Sequence, residues 1–339
     1  MSGPISAALG RFQAALAAAA VAALCAGCSS GADASKLNTE GDLNGQPGTQ
    51  IALFHVDNTN EYQQANIDAA KARAAELGVD LTVYTSKHDA YIQSNQIRLA
   101  LQRNQFDGMI MALNSGEQQC NIAKQVIEAG LPLVLLVTGT CGGIPEGTAT
   151  LVNLQTPQMY RTWWDHILST NEPQKVGVVT LPALLDLTKN AAAAMDASMK
   201  EHPGFQIVAT QYTDDTTRMA YQATQDMLTA NPDLKIITSI SSTMTQGIAQ
   251  AVKNAGKAGQ VKIYDVLGNE FVTGAIAEGL VTATVPGLPR TEGRLTIDAV
   301  VSALKGEQLP EITDPSTELK IQDGPILTST NVNQFTPEY

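Results

Sequence analysis

The stretch Ile51–Val83, reading IALFHVDNTNEYQQANIDAAKARAAELGVDLTV, limits what this chain can fold into more than any other segment. Ile51–Val56 is apolar and β-branched, too short for a helix, and carries no alternation that would leave one face wet. Such a run reads as a strand covered on both faces, the condition of parallel sheets in α/β proteins. Asp57–Asn60 is a polar turn in which Asn58 or Asn60 is placed to cap a helix. From Tyr62 onward, Ala65, Ala69, Ala72 and Ala75 recur at steps of three to four, the stripe of a helix packed on a sheet. Gly78 ends that helix and Asp80–Tyr84 begins a second strand. This is a βαβ unit with a right-handed crossover, and a ligand would lie past the carboxyl end of its first strand, at Asp57–Tyr62. The turn lacks GxGxxG and the chain lacks GxxxxGK(S/T), so phosphate cradling is not signalled and the ligand is not expected to be a nucleotide.

A chain of 339 residues, 44% hydrophobic, is long enough for two ordinary domains. Its formal charge of −12 and its scarcity of aromatic residues argue against a nucleic-acid partner. The four histidines (His55, His88, His166, His202) never fall at i, i+4, so no zinc helix is indicated, and no cofactor motif is present.

Residues 1–28 read as an export signal rather than fold. Phe12–Leu24 is an apolar run of 13 residues, suited to a signal-peptide core and too short to span a bilayer. Ala26-Gly27-Cys28 follows and resembles the end of a bacterial lipobox, with Cys25 where that motif usually has Leu; an ordinary secretory signal is the alternative. The match implies lipidation of Cys28 and an extracytoplasmic protein held to the membrane by that anchor only. No later run reaches 18 apolar residues. Cleavage leaves 20 basic and 33 acidic side chains, a charge of −13. Residues 29–50 hold almost nothing large and apolar and read as a flexible tether. Of the thiols, only Cys120 and Cys141 then remain. In an oxidising compartment an even pair suggests a disulfide; two unpaired buried thiols are the alternative, and a catalytic Cys lacks an indicated partner His.

From Ile51 strand and helix signals alternate. Helices are expected at Ala90–Arg103, Gln118–Ala129, Thr156–Ser169, Leu187–Lys200, Thr216–Ala230, Thr245–Asn254, Phe271–Gly279 and Thr291–Leu304. Strands are expected at Gly108–Ala112, Leu133–Val137, Ala149–Val152, Lys175–Thr180, Phe205–Tyr212, Leu234–Ser239, Val261–Val266 and Val281–Val285, with further tail strands at Leu319–Gln322 and Ile326–Thr328. The pattern is α/β, with two similar doubly wound parallel-sheet lobes. Trp163-Trp164 points two ways on its helix, which places one ring in the core.

The order and spacing of several markers carry a resemblance: the opening strand-turn-helix with Asn60 and Tyr62, then ELGVDLTVY, NQFDGMIM, EAGLPLVLL, NPDLKIITS, AIAEGLVTATV and SALKGEQLP. Together they resemble the type I periplasmic (solute-) binding proteins of the ribose/galactose-binding class, over Ile51 to about Val332. The resemblance implies two lobes joined by a three-stranded hinge, closing on a small solute that is handed to the permease subunits of an ABC importer. Lobe one would be residues 51–152 plus 289–309, and lobe two residues 153–286 plus 310–339. Crossings would lie near 151–155, 285–288 and 309–317.

The same resemblance places a pocket on the turns after strands. Asn60 matches the family's first-turn Asn, and Tyr62 an aromatic that lies against the solute. Glu61 and Gln63 stand where a Pro and a second aromatic are usual. Val137-Thr138 replaces the Asp-Arg pair that grips sugar hydroxyls, Lys189 with Asn190 replaces an Arg, Ser241 an Asn, Leu267 an Asp, and Gly287 a hinge Gln. The polar candidates are therefore His55, Asp57, Asn60, Glu61, Tyr62, Asn114, Thr138, Lys189, Asn190, Ser241 and Asn269, a set suited to a sugar, polyol or similar solute. Each also has a plainer role: Asn60 and Ser241 as helix caps, Asp57 and Glu61 as turn acids near a helix N-terminus, His55 as a rim residue, Lys189 as a solvated lysine.

The expected function is a monomeric solute-binding lipoprotein of an ABC importer. A sensor presenting its closed form to a membrane receptor would share the fold and pocket. The effector core of a transcription regulator would need a DNA-binding helix-turn-helix before Ile51, where a signal peptide stands. An enzyme is not expected: there is no GxSxG and no HExxH.

Overall fold

A computed structural model describes residues 48–183, 185–322 and 324–339. The expected signal, Cys28 and most of the tether lie outside the described residues.

The first half of the chain builds β1 (Gln50–His55), α1 (Glu61–Leu77), β2 (Asp80–Thr85), α2 (Ala90–Arg103), β3 (Gly108–Met111), α3 (Cys120–Glu128), β4 (Leu133–Leu136) and β5 (Thr150–Val152). The second series is α4 (Pro157–Ser169), β6 (Lys175–Thr180), α5 (Asp186–Glu201), β7 (Gln206–Tyr212), α6 (Thr217–Ala230), β8 (Ile236–Ser239), α7 (Ser242–Asn254), β9 (Lys262–Gly268), α8 (Glu270–Ala277) and β10 (Ala283–Pro286). The chain closes with α9 (Pro289–Leu304), β11 (Ile312–Thr313) and β12 (Leu327–Thr328). The strands form two six-stranded sheets, in the orders β11-β5-β4-β3-β1-β2 and β12-β10-β9-β8-β6-β7. Every pairing is parallel except β10 with β12. The chain crosses between the sheets after β5, between β10 and α9, and between β11 and β12.

The buried apolar run of β1 explains its place. Ile51 and Leu53 enter a core under α1 and α9, while Ala52 and Phe54 enter a second core with α2 and α3. Alternate residues of one strand therefore feed opposite faces, as the period of two requires. A single larger core fills the second sheet's surroundings and takes both Trp163 and Trp164, each at most 2% exposed with rings edge-on at 5.2 Å. The expectation that only one of them is core is corrected: the α4 face is wide enough to hold both.

Three other expectations change. The α1 face that packs inward is Gln63, Ala65, Asn66, Ile67, Ala70 and Ala74; of the expected stripe Ala65 is buried and Ala69 half-buried, while Ala72 and Ala75 are exposed. With alanines spread round the helix, the position of α9 selects the stripe: a Cβ on Gly293 would stand 2.1 Å from the Asn66 carbonyl. Leu319–Gln322 is not a strand. It follows a 3-10 turn at Pro315–Glu318 capped by Asp314, and the Gln322 N–H donates to the Gln334 side chain at 2.9 Å instead of entering a ladder. Finally, Ile312–Thr313 pairs with Leu151–Val152 of the first sheet, so the segment after residue 309 does not pass wholly to the second.

Among the described residues, no helix is long and apolar enough to cross a membrane.

Candidate functional site

The turns that follow strands in the two sheets face one another, and two close approaches mark the crevice between them. Gly116, after β3, has no side chain; a Cβ there would lie 3.0 Å from Asp186 Oδ2 at the start of α5. Tyr62, in the first turn of α1, meets the ring of Tyr339 edge-on at 5.2 Å, and Tyr339 rests on Leu267 and Gly287 of the second sheet's turns. Backbone strain gathers at these turns. Lys87, His88, Val137, Cys141, Asp215 and Leu267 all take positive φ, between 53° and 73°. Non-glycine residues hold such angles at a cost of about 1–3 kcal/mol each, and they cluster where a surface is held ready for a partner.

On the first-sheet side, the Nδ1–H of His55 donates to the Asp57 carbonyl at 2.7 Å, since that oxygen can only accept. Burial pushes the imidazole down to about 4, so it is neutral at physiological pH. Burial also pushes the Asp57 carboxyl up, but hydrogen bonds from Thr59 Oγ1 (2.7 Å) and the Asn58 N–H (2.9 Å) outweigh it and hold the group below the usual range. Tyr62 donates to Glu292 Oε2 at 2.8 Å. Glu292 is fully buried in the first turn of α9, and burial, only partly offset by the Tyr62 bond, pushes its carboxyl up to about 8. Asn114 donates to Ser86 Oγ (2.8 Å) and Gln93 Oε1 (3.0 Å), while its own Oδ1 is buried without a partner. Thr138 is half-buried beside the strained Val137.

The Cys120 and Cys141 sulfurs are joined, closing a loop of 21 residues behind the Gly116 turn. The Gly116 carbonyl accepts from Thr140 Oγ1 and from the Cys141 N–H, the latter at 3.4 Å. The bridge therefore braces the rim that approaches Asp186.

On the second-sheet side, Ser241 is buried at the start of α7, with its hydroxyl near enough to Asp215 to favour the ionised carboxylate. Burial raises the Asp215 carboxyl in spite of that neighbour, and Asp215 Oδ1 has no hydrogen-bond partner. Beneath them Asp265 is fully enclosed. Burial pushes it up to about 7, against hydrogen bonds from Thr245, from Thr284 (2.6 Å) and from Ser242 (3.3 Å).

Several candidates have other work. Asn60 is exposed and its Oδ1 accepts the Gln63 N–H at 2.8 Å; Asn269 Oδ1 accepts the Val272 N–H at 3.1 Å. Both amide oxygens cap helices, so one lone pair of each is already engaged and the amide nitrogens are the groups left whole for a ligand. Glu61 is exposed. Lys189 is exposed and its amine pairs with Asp186 at 3.1 Å rather than meeting Asn60 or Tyr62; Asn190 is half-buried on the same helix. Sequence reasoning missed Glu292, Asp215, Asp186, Gly116 and Tyr339. Only Asp215 carried a signal, in the acid pair Asp214-Asp215 directly after a strand.

Residues 51–308 match the family described as periplasmic binding protein domain. The D-allose-binding periplasmic protein of Escherichia coli (strain K12) is 32% identical over 132 residues, 39% of this chain and 42% of that protein. The D-apiose import binding protein of Paraburkholderia graminis is 26% identical over 243 residues, 71% of this chain and 76% of that protein. Among solved structures, an ABC transporter solute binding protein from Bacillus halodurans with bound myo-inositol superposes with a TM-score of 0.76 at 16% identity, over 86% of this chain and 98% of that one. One from Mycobacterium smegmatis with bound glycerol gives 0.73 at 23% identity, over 85% and 96%. With two mainly parallel sheets whose turns face one another and a family match over most of its length, the chain belongs to the periplasmic binding protein family.

Proposed function

We propose that this protein captures a small polar solute, a sugar or polyol, in the crevice and delivers it from outside the cytoplasm to the permease subunits of an ABC importer. It works as a monomer tethered through lipidated Cys28. Lobe one is residues 51–152 plus 289–309 and the short β11; lobe two is residues 153–286 plus the remaining tail. The carrying observation is that turns from both sheets converge on one crevice, with Gly116 close to Asp186 and Tyr62 close to Tyr339. A solute touching both walls binds the closed lobes better than the open ones, and only that difference drives closure. Asp57, Asn114 and Asp215 offer acceptors and Ser241 a hydroxyl, a set that matches several hydroxyl groups rather than a phosphate. The relatives named for D-allose and D-apiose, and the neighbours holding myo-inositol and glycerol, support the same solute class.

The test is a thermal-shift screen of the mature protein against aldoses, cyclitols and linear polyols. A ligand at 100 times its Kd adds about 2.7 kcal/mol, a readily seen shift. If no member of the panel moves the melting curve, the proposal fails. The anchor is checked by mass spectrometry of the native N-terminus, where a chain not starting at a lipid-modified Cys28 refutes it.

A further inference from the structure

The tail residue Tyr339 has no counterpart among the pocket positions expected from the family pattern, and it stands inside the crevice. Its ring meets Tyr62 at 85°, so the two aromatics form a corner with one wall from α1 and one from the tail. On the other side the ring fits a slot made by a missing side chain. A Cβ on Gly287 would lie 2.6 Å from Tyr339 Cε1 and 3.0 Å from its phenolic oxygen. Any side chain at position 287 and this ring exclude each other.

The anchoring is specific on both sides. The phenol donates to the Leu267 carbonyl, which Ser242 Oγ also reaches. Leu267 holds φ 73°, a strained angle for a residue with a side chain. The Tyr339 carbonyl accepts the Glu270 N–H at 2.9 Å. One residue earlier, Glu338 Oε2 accepts from the N–H groups of Arg290 (2.6 Å) and Thr291 (3.0 Å), while Oε1 accepts from Thr291 Oγ1 (2.5 Å). A carboxylate on the first N–H groups of α9 suits the positive end of the helix dipole. Arg290 Nε donates back to the Glu338 carbonyl at 2.7 Å. The tail is thus tied to α8 on the second sheet's side and to α9 on the first's. Both Tyr62 and Tyr339 nevertheless keep part of their surface open.

We infer that Tyr339 is a specificity-determining residue of the solute site, an aromatic wall that takes the place of a side chain at the Gly287 crossing and confines the crevice to compact polyhydroxylated solutes. The inference rests on the proposed function. Two rings at right angles offer apolar surface to the C–H faces of a cyclitol or pyranose, while the hydroxyls of such a solute turn toward Asp57, Asn114 and Asp215. Because the phenol spends its proton on Leu267, the ring and not the hydroxyl meets the solute.

The experiment is calorimetry with myo-inositol, glycerol and D-allose on the parent, Y339A, Y339F and G287A, with a melting curve for each. The parent should bind at least one probe. Y339A should weaken that binding tenfold or more, and G287A, which keeps the tyrosine but expels its ring, should weaken it to a similar degree. Y339F should stay within about threefold of the parent. Parent-like or tighter binding by Y339A overturns the inference, and so does G287A binding like the parent. If Y339A does not fold, G287A alone decides. A parent that binds none of the probes, while the wider screen is also blank, overturns the proposed function and this inference with it. A parent that binds while both variants match it overturns the inference alone.

Discussion

Replacing Asp265 by Asn removes one buried acid and leaves its hydrogen-bonding shell in place. Asp265 is enclosed by Thr245, Thr284 and Ser242, with no cation among those partners. Burial raises it from 3.8 to about 7, so it folds as the neutral acid. For a group raised in the folded state, the stabilising contribution is whole below the unfolded value and is lost as pH climbs through the folded one. The window here runs from 3.8 to about 7. Three pKa units correspond to about 4 kcal/mol, of which roughly 2.5 kcal/mol falls between pH 5 and pH 8. At about 2 °C per kcal/mol, the lower end of the range for domains of 150–250 residues, that is roughly 5 °C of melting temperature. D265N lacks the titration. Its Tm relative to the parent should therefore rise by that amount from pH 5 to pH 8. Glu292, raised to about 8, imposes its own alkaline loss on both proteins and cancels in the comparison. Melting curves by circular dichroism at the two pH values are sufficient. A difference between parent and D265N that stays constant with pH refutes the assignment of Asp265 as a neutral buried acid.

Cys141→Ser should cost about 3 kcal/mol by freeing a loop of 21 residues, read as a lower Tm; a reductant should bring the parent down to the variant, and a parent indifferent to reductant would contradict a bridge. Gly293→Ala places a Cβ 2.1 Å from the Asn66 carbonyl and must push α1 from α9, for a loss of about 1–3 kcal/mol in urea unfolding. Gly274→Ala, in α8 with open space around its Cβ, should instead be neutral or stabilising by up to about 1 kcal/mol. Equal effects from the two glycine substitutions would refute the packing argument.

What the sequence made legible was decided by local burial. β1, β3, β4, β6 and β8 are short apolar runs because both of their faces are covered, and each was readable without knowing its neighbours. The inward face of α1 was not readable, because alanines surround that helix and only the approach of Gly293 selects among them. Leu319–Gln322 has a strand's composition, but the backbone partner it would need is supplied by a Gln334 side chain. In the site, Tyr62 stood out by its position after β1. Its partners Glu292 and Tyr339 lie more than 200 residues away, and no local period points to them. Asn60 and Asn269 show the converse: the residue type that caps a helix is the type that binds a hydroxyl, and only the hydrogen bond tells which use has been made of the oxygen.

The β5–β11 pairing has a consequence for how the molecule is made. The first sheet takes its sixth strand from Ile312–Thr313 and its covering helix from Pro289–Leu304, both translated after the whole of the second series. The second sheet likewise has five consecutive strands and takes its sixth, Leu327–Thr328, from the tail, but the helices that cover it all lie within its own series. As the polypeptide emerges, both sheets wait for a short edge strand from the tail, but residues 153–286 can collapse on their own helices while residues 51–152 hold a sheet face uncovered until α9 arrives. Closing so long a loop makes that step slow, and the apolar face left bare is open to wrong contacts in the meantime. A shortened gene ending before residue 289 should therefore yield a folded second half joined to an aggregation-prone first half, although the first half carries most of its own strands.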